Sequence, residues 1–511
     1  MSRWQRYWFA EGGRTSAAVL RIAIALALMF TLDRLRFTWP VNAPGGPAPA
    51  DVYRPIGVWM VFGHHVPPVC VIDALWAIAW MGAVFMLVGA YTRVATAVAF
   101  AAGVSLAALS YAATKGWSHQ YNVVFLALLA FQGARGGDVW SWDAYWRRSR
   151  GLPELDVPRG YQWSVRLVQL AVALMFASGM FHKVLHGHMT LRWAFSDNLR
   201  NHLLVRYDLA GLPRPAIVDW MIDRSWAWEA AAGLNLLTQT IPLTAVFLVR
   251  HPVLRACAGC FFILETVALG VVMQLWNLHW LPLAAVFVDW DALLRRRAVP
   301  AVPADYKPPR GPTIFVIAFV VYDIVCAFTP SVDQRLNTYP ISAFPMFAQI
   351  RAREPLSMHQ PYSVPSVHFE LDATGPTPGA AEALDYTYRT VIQVRDASEL
   401  QKRLTAMLAD AQKRFPSANV TRVRAWLMIL ESPAYPAPAR FDAHPIAIMG
   451  EYDGQFHSQL QGKVPAGAVD YYADDRPEKH TGTPPPSGPL AVVTTIDGKP
   501  WLAYVRGQRL Q

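Results

Sequence analysis

The sequence predicts an α-helical multi-pass membrane protein of about nine spans, followed by a small α+β domain outside the membrane. Three observations predict this. Hydrophobic residues fill 53% of the 511 positions and charged residues only 16%, which is more apolar and less charged than a soluble domain. Long apolar runs alternate with short arginine-bearing loops over residues 1–329, the pattern of repeated bilayer crossings. Beyond residue 329 the hydropathy falls, and residues 330–511 are polar and proline-rich.

The first span is 15–33, with Arg21 in its first turns, where it is expected to snorkel to the interface or to pair with a carboxylate. A Pro- and Gly-rich loop covers 38–69 and ends in Gly63-His64-His65. Spans 70–90 and 93–113 are separated only by Tyr91, Thr92 and Arg93, and a short fourth span covers 119–134. After the basic loop 135–162 comes the fifth span, 163–186. Residues 187–226 interleave Trp193, Leu203, Leu204, Leu212, Trp220 and Trp226 with Arg192, Arg200, Arg206 and Arg214, which suits an interfacial or re-entrant pair of amphipathic helices. Spans at 227–249, 253–275, 276–291 and 312–329 complete the count.

The net charge of +10 does not point to nucleic acid. The positive charge lies in short loops beside apolar runs, and no nucleic-acid motif accompanies it. With the N-terminus in the cytoplasm and nine crossings, the most basic short loops all fall inside: Arg93, 135–162, Arg250–Arg255 and 292–311. The tail then lies outside the inner (cell) membrane. So does 187–226, despite its four arginines. The segment ahead of the first apolar run has no small-residue cleavage site of a signal peptide. The four cysteines are too scattered for a disulfide framework. Cys257 and Cys260 stand in an apolar helix, where they are read as small side chains rather than zinc ligands.

This topology gathers ionisable groups at one face. His64, His65, His119, His182, His186, His188 and His279, seven of the 14 histidines, fall near the outer ends of spans. Lys183 stands among them. Only Lys115 and Lys183 precede residue 300; elsewhere the membrane part carries its positive charge as arginine. A desolvated lysine can lose its proton and act as a base, whereas arginine stays protonated.

Several elements then resemble a known family. Trp117-Ser118-His119-Gln120-Tyr121-Asn122, Leu126-Ala127-Leu128-Leu129-Ala130-Phe131-Gln132, Trp140-Ser141-Trp142-Asp143-Ala144 and Ser178-Gly179-Met180-Phe181-His182-Lys183 resemble the vitamin K-dependent gamma-glutamyl carboxylases and their bacterial HTTM-domain relatives. Leu20-Arg21-Ile22 and Gly89-Ala90-Tyr91-Thr92-Arg93 also look like that family. The resemblance covers roughly residues 15–295, in keeping with a membrane domain at 1–329 and a soluble domain at 330–511. It implies a lyase-type membrane enzyme. In that family a lysine deprotonates a reduced quinone that reacts with dioxygen, and carbon dioxide adds at the γ-carbon of a protein glutamate.

By position His119 corresponds to the family's assisting histidine. His182 falls at the lysine position, and Lys183 lies one residue further, about 100° around a helix. The candidate catalytic residues are therefore Lys183, His182 and His119. His186, Glu265 and Trp117 are candidates for holding the cofactor, and no metal is assigned. The partners this implies are the bilayer and a secreted or membrane protein substrate.

Two other readings stand beside this one. The Phe-Ala-Ser-Gly-Met-Phe-x-Lys stretch also resembles lipase maturation factors, which implies a non-enzymatic membrane factor assisting a client. His182 and His186, spaced i, i+4, could instead join His119 in a metal site. Tyr339–Phe347 looks like a motif that follows the membrane part in bacterial relatives. In the tail, Ser366–Leu371 and Thr390–Val394 alternate as strands, 397–415 is an amphipathic helix and 420–430 a strand or buried segment. Residues 473–488 form a polar excursion. Leu490–Ile496 and Trp501–Val505 flank an Asp497-Gly498 hairpin turn.

Overall fold

The computed structural model describes residues 2–37, 55–63, 65–114, 119–155, 157, 159–209, 213–294, 308–328, 359, 361–374, 397–414, 416–440, 442–458, 469–470, 490–496 and 499–504. The expected elements at Tyr339–Phe347, Thr390–Val394 and 473–488 lie outside them, as do His64 and Trp117. Contacts divide the chain into two compact units. The first comprises Met1–Pro40, Val52–Leu185 and Leu234–Ala348. The second comprises Val41–Asp51, His186–Gly233 and Gln349–Gln511. The amphipathic stretch, His186–Gly233, groups with the tail in the second unit.

In the first unit six helices are long and apolar enough to cross a bilayer: Arg14–Leu35, Val69–Val88, Thr92–Ser110, Gln162–His186, Pro252–Met273 and Arg310–Phe328. The other three expected spans take different forms. Residues 119–134 give a 3-10 turn, His119–Tyr121, and a nine-residue helix, Asn122–Ala130. At 1.5 Å per residue that helix reaches only about 14 Å, less than half the hydrocarbon core. The stretch 276–291 folds as a 3-10 helix over Leu278–Phe287 that contains Pro282. Residues 227–249 give a helix, Ser225–Thr244, with Pro242 inside it and a polar face.

In chain order the helices are α1 (Arg3–Trp8), α2 (Arg14–Phe37), α3 (Val69–Val88), α4 (Thr92–Thr114), α5 (Asn122–Ala130), α6 (Trp142–Ser149), α7 (Gln162–His186), α8 (Asn198–Leu204), α9 (Ala216–Ile222), α10 (Ser225–Thr244), α11 (Pro252–Met273), α12 (Trp290–Leu293), α13 (Arg310–Phe328) and α14 (Ala397–Arg414).

Arg21 does not reach the surface, and it forms no ion pair among the described residues. It is fully buried, and its guanidinium donates to the carbonyls of Gly136 at 3.0 Å and Trp140 at 2.6 Å. Burying a cation costs free energy that hydrogen bonds to its donors offset; the 136–140 loop supplies one to each terminal nitrogen, and Nε is buried without a partner among the described residues. The same loop leads into Asp143, whose carboxylate accepts from the Tyr91 N–H (2.8 Å), the Thr92 N–H (2.9 Å) and the Thr92 hydroxyl (2.8 Å), capping α4. Gly89 ends α3 with φ +75°, and its N–H bonds to Phe85 and Met86. A Cβ on Gly89 would lie 2.3 Å from Arg21 Nη1 and 2.4 Å from Ser141 Cβ. The elements around Arg21, Gly89–Thr92 and Trp140–Asp143 thus form one interlocked clasp. At the opposite end of the sequence span, Asp291 caps α2 through the N–H groups of Thr15 and Ser16.

Helices α7 and α13 run parallel. Trp163 meets Phe315 near their starts, whereas Phe181 meets Phe328 and the Ser178 hydroxyl donates to the Ala327 carbonyl near their ends. On another side of α7, Phe176 packs on Phe262 and Trp280, and Phe262 on Phe287. This aromatic cluster ties α7, α11 and the 278–287 segment together.

In the second unit, strands β1 (Tyr362–Ala373), β2 (Val420–Ser432), β3 (Asp442–Tyr452) and β4 (Phe456–Ser458) form an antiparallel sheet in that order. Helix α14 packs on it through buried Leu400, Leu404, Met407 and Ala411. A three-stranded sheet has the order β5 (Val469–Asp470), β7 (Lys499–Tyr504), β6 (Leu490–Ile496). β6 and β7 pair antiparallel from Ile496 opposite Lys499, the register of a two-residue hairpin. The amphipathic stretch grips the 433–439 loop. Buried Arg200 donates to the carbonyls of Pro433 and Ala437, both at 3.0 Å, and Arg214 to that of Ala439 at 2.8 Å. Burial pulls the Arg200 guanidinium below its ordinary range, against the attraction of Asp197 and Asp223. Trp228 stacks edge-on against Tyr435, and Asp197 holds His359 at 2.6 Å.

The clasp yields a prediction. Gly89→Ala adds left-handed strain of about 1–2 kcal/mol to a collision with Arg21 and Ser141. It should lower the thermal midpoint of the detergent-solubilised protein well below that of Gly133→Ala, whose Cβ meets nothing within 4 Å.

Candidate functional site

Lys183 is the last but three of the residues of α7, and both it and its neighbour His182 point into the protein. Lys183 is 1% exposed and His182 0%. The two lie about 100° apart on the helix, so α7 is enclosed around this whole arc. His182 packs with its ring 5.6 Å from that of Phe181. Lys183 extends across to α10, where its ammonium donates to the side-chain oxygen of Asn235 and, at 3.1 Å, to that of Gln239.

The same two amides turn their nitrogens to Glu265 on α11. Asn235 Nδ2 donates to Glu265 Oε1 at 2.5 Å and Gln239 Nε2 to the same oxygen at 3.0 Å. The Thr238 hydroxyl donates to Oε2 at 2.5 Å. Asn235, Thr238 and Gln239 stand at i, i+3 and i+4, which places them on one face of α10. Glu265 is 1% exposed. A carboxylate accepts at both oxygens and an ammonium only donates. The amide bridges therefore run in one direction, from Lys183 to Glu265, joining an amine and a carboxyl without direct contact.

The arrangement is a buried amine-and-carboxyl pair linked through intervening amides. Such a site can hold a polar group against the amine and exchange a proton with it. Placed between helices in apolar surroundings, an ionisable pair of this kind is costly unless fully bonded, and here every bond named is closed within α7, α10 and α11.

The structure unites Lys183 and Glu265, two of the residues singled out from the sequence. His182 is buried beside them. His186, at the end of α7, is half-buried. The backbone of His119 begins the 119–121 turn, and its side chain lies outside the described residues, as does Trp117. The neighbouring Gln120 carbonyl receives the Trp280 indole N–H at 2.7 Å and meets His279 Nε2 at 2.8 Å. His279 is thus buried in the packing of that turn. Among the described residues no three His, Cys, Asp or Glu side chains converge as metal ligands, and Cys257 and Cys260 are exposed on α11. Asn235, Thr238 and Gln239 were not singled out from the sequence, although their i, i+3, i+4 spacing in an otherwise apolar run was a readable signal.

No family model, no curated protein and no solved structure matches this chain.

A double-mutant cycle tests the bridge. Lys183→Met or Glu265→Leu alone strands a buried ionisable partner and should cost roughly 3–5 kcal/mol of stability. The double variant should cost less than the sum, a coupling measured by unfolding in mild detergent; strict additivity would show that the two groups do not sense each other.

Proposed function

We propose that this is an integral membrane enzyme with a quinol-dependent, carboxylase-like activity, in which Lys183 is the base. The single observation that carries the reading is the enclosure of Lys183, joined through Asn235 and Gln239 to Glu265. Lysines are scarce in the membrane part, and this one is withdrawn from the headgroups. A merely interfacial lysine would extend along the helix to water. The reading also rests on the resemblance of the sequence to the vitamin K-dependent gamma-glutamyl carboxylases.

The donor set fits a ligand that carries a hydroxyl group. In its neutral form Lys183 Nζ, still donating to Asn235 and Gln239, would keep a lone pair to accept the hydroxyl proton. When bound, a reduced quinone supplies, together with dioxygen, the strong base that opens a substrate glutamate to carbon dioxide. Glu265 balances the charge of Lys183 once it gains a proton, and Thr238 holds Glu265 in place. His119 is assigned the assisting role by the resemblance. By the positive-inside rule the N-terminus lies in the cytoplasm of a cell with this protein in its inner membrane. The tail then faces outward, where a secreted or membrane protein substrate would meet it.

The test uses the full chain in lipid nanodiscs with a reduced naphthoquinone, labelled carbon dioxide and a glutamate-rich peptide. Label should enter the peptide only when the quinol is present. Lys183→Ala should lower the rate by about 10²–10⁴, the usual worth of a general base. Lys183→Arg should not rescue it, because arginine keeps its proton. Label transfer that survives in Lys183→Ala would remove the lysine from the chemistry. No transfer at all, with loss of a secreted client on deletion, would favour the maturation-factor reading.

A further inference from the structure

Helices α7 and α11 each carry an arginine close to their starts, Arg166 and Arg255. Both helices are long and apolar enough to cross a bilayer, which sets their ends at headgroup level. Beside them α1 brings Trp4, Tyr7 and Trp8, aromatic residues of the kind that collect at that depth. The Tyr7 hydroxyl donates to the Val246 carbonyl at 2.8 Å, which fixes the ring. The Arg166 guanidinium lies over this ring, 4.3 Å from its centroid.

Arg166 differs from the other buried cations of the first unit. Arg21 is answered by carbonyls and Lys183 by amides. Arg166 is 6% exposed, yet it makes no hydrogen bond and no ion pair among the described residues. Contact with a ring uses only the face of a guanidinium and leaves its five N–H donors unmet. Its nitrogens are not sealed off, so they border an opening. The charge that acts on it is another cation, Arg255. Arg255 donates to the Phe287 carbonyl at 3.1 Å and pairs with Asp289 at 3.3 Å. Both guanidiniums also act on the Tyr7 hydroxyl, so the three groups converge. One turn along the same face of α7, Gln169 Nε2 is a further buried donor without a partner among the described residues. Neither helix has an acidic residue in its first turn, where the helix dipole adds positive potential.

Two guanidiniums against one carboxylate leave one positive charge. A desolvated cation facing a like charge is costly, and a single anion seated on it removes that cost. The planar fork of arginine matches the paired oxygens of a phosphate, and headgroups supply phosphate at this depth. We propose that the cleft between Arg166, Tyr7 and Arg255 binds one phosphate group, carried by a lipid headgroup or by a free phosphate ion. The site lies seventeen residues before Lys183, about 25 Å along α7, and does not depend on the carboxylase-like reading.

The experiment uses the full chain purified in a maltoside detergent, which carries no phosphate. The phosphorus retained by the protein is measured first. The thermal midpoint is then followed at constant pH and ionic strength as sodium phosphate replaces sodium chloride. In a separate arm dihexanoyl phosphatidylglycerol is added, with dihexanoylglycerol as the phosphate-free control. A ligand that binds only the folded state raises the midpoint. The expected result is a rise of several degrees, or about one phosphorus per chain retained beyond that of Arg166→Met. A rise with inorganic phosphate assigns the free ion. A rise with the lipid alone, or retained lipid phosphorus, assigns the headgroup. Arg166→Met should abolish the effect. Arg166→Lys, which keeps the charge without the fork, should weaken it, and Arg3→Gln, at an exposed position of α1, should leave it unchanged. A wild-type chain that retains no phosphorus and whose midpoint ignores both probes overturns the proposal, and needs no variant to fold. An effect that persists in full in Arg166→Met, or is lost equally in Arg3→Gln, also overturns it.

Discussion

Charge inside an apolar interior must be answered by protein groups, and much of the first unit is arranged around that requirement. Arg21 is met by two backbone carbonyls of the 136–140 loop. Lys183 is met by two side-chain amides that pass the interaction on to Glu265. Each solution fixes more than one side chain. Satisfying Arg21 requires the 136–140 loop to lie against Gly89, and that brings Asp143 to the start of α4. Satisfying Lys183 requires α10 to present three polar residues between α7 and α11. Because an unmet buried donor or acceptor costs more than the bond itself returns, these contacts specify how the helices meet.

Helix α7 is the element through which most of these constraints pass. One side carries Lys183 toward α10 and α11, and another carries Ser178 toward α5 and α13. Between them Phe176 enters the aromatic cluster with Phe262 and Trp280. A helix enclosed on so many sides is a poor lipid-facing span, and 83% of its apolar window is buried against 22% for Val69–Val88. It is suited instead to placing ionisable groups at fixed positions, as a rigid support for chemistry requires.

In the second unit the arginines of the amphipathic stretch have a local use. Arg200 and Arg214 are bonded to carbonyls of the 433–439 loop. Arginines engaged in this way stabilise a folded unit, which accounts for basic residues on a stretch that the proposed topology puts outside the membrane. The planar guanidinium, with several donors in a fixed fork, suits two carbonyls of one loop better than an ammonium would.

The sequence by itself determined the six long apolar helices, because crossing length and hydropathy are local properties. It also determined α14 and the strands β1, β6 and β7, whose periodicity or turn residues are written in short windows, whereas 420–430 stayed open between a strand and a buried segment until β2 appeared. Lys183 and Glu265 stood out as ionisable residues in apolar runs. Tertiary structure decided what they mean. The choice between His182 and Lys183 has no answer from helix geometry alone, since both turn out to be enclosed. The partners Asn235 and Gln239 come from a helix some fifty residues on (positions 235 and 239 against 183), and no local pattern encodes that approach. The short forms of 119–134 and 276–291 were also beyond local reading, because apolar residues packed against protein and apolar residues facing lipid look alike in sequence.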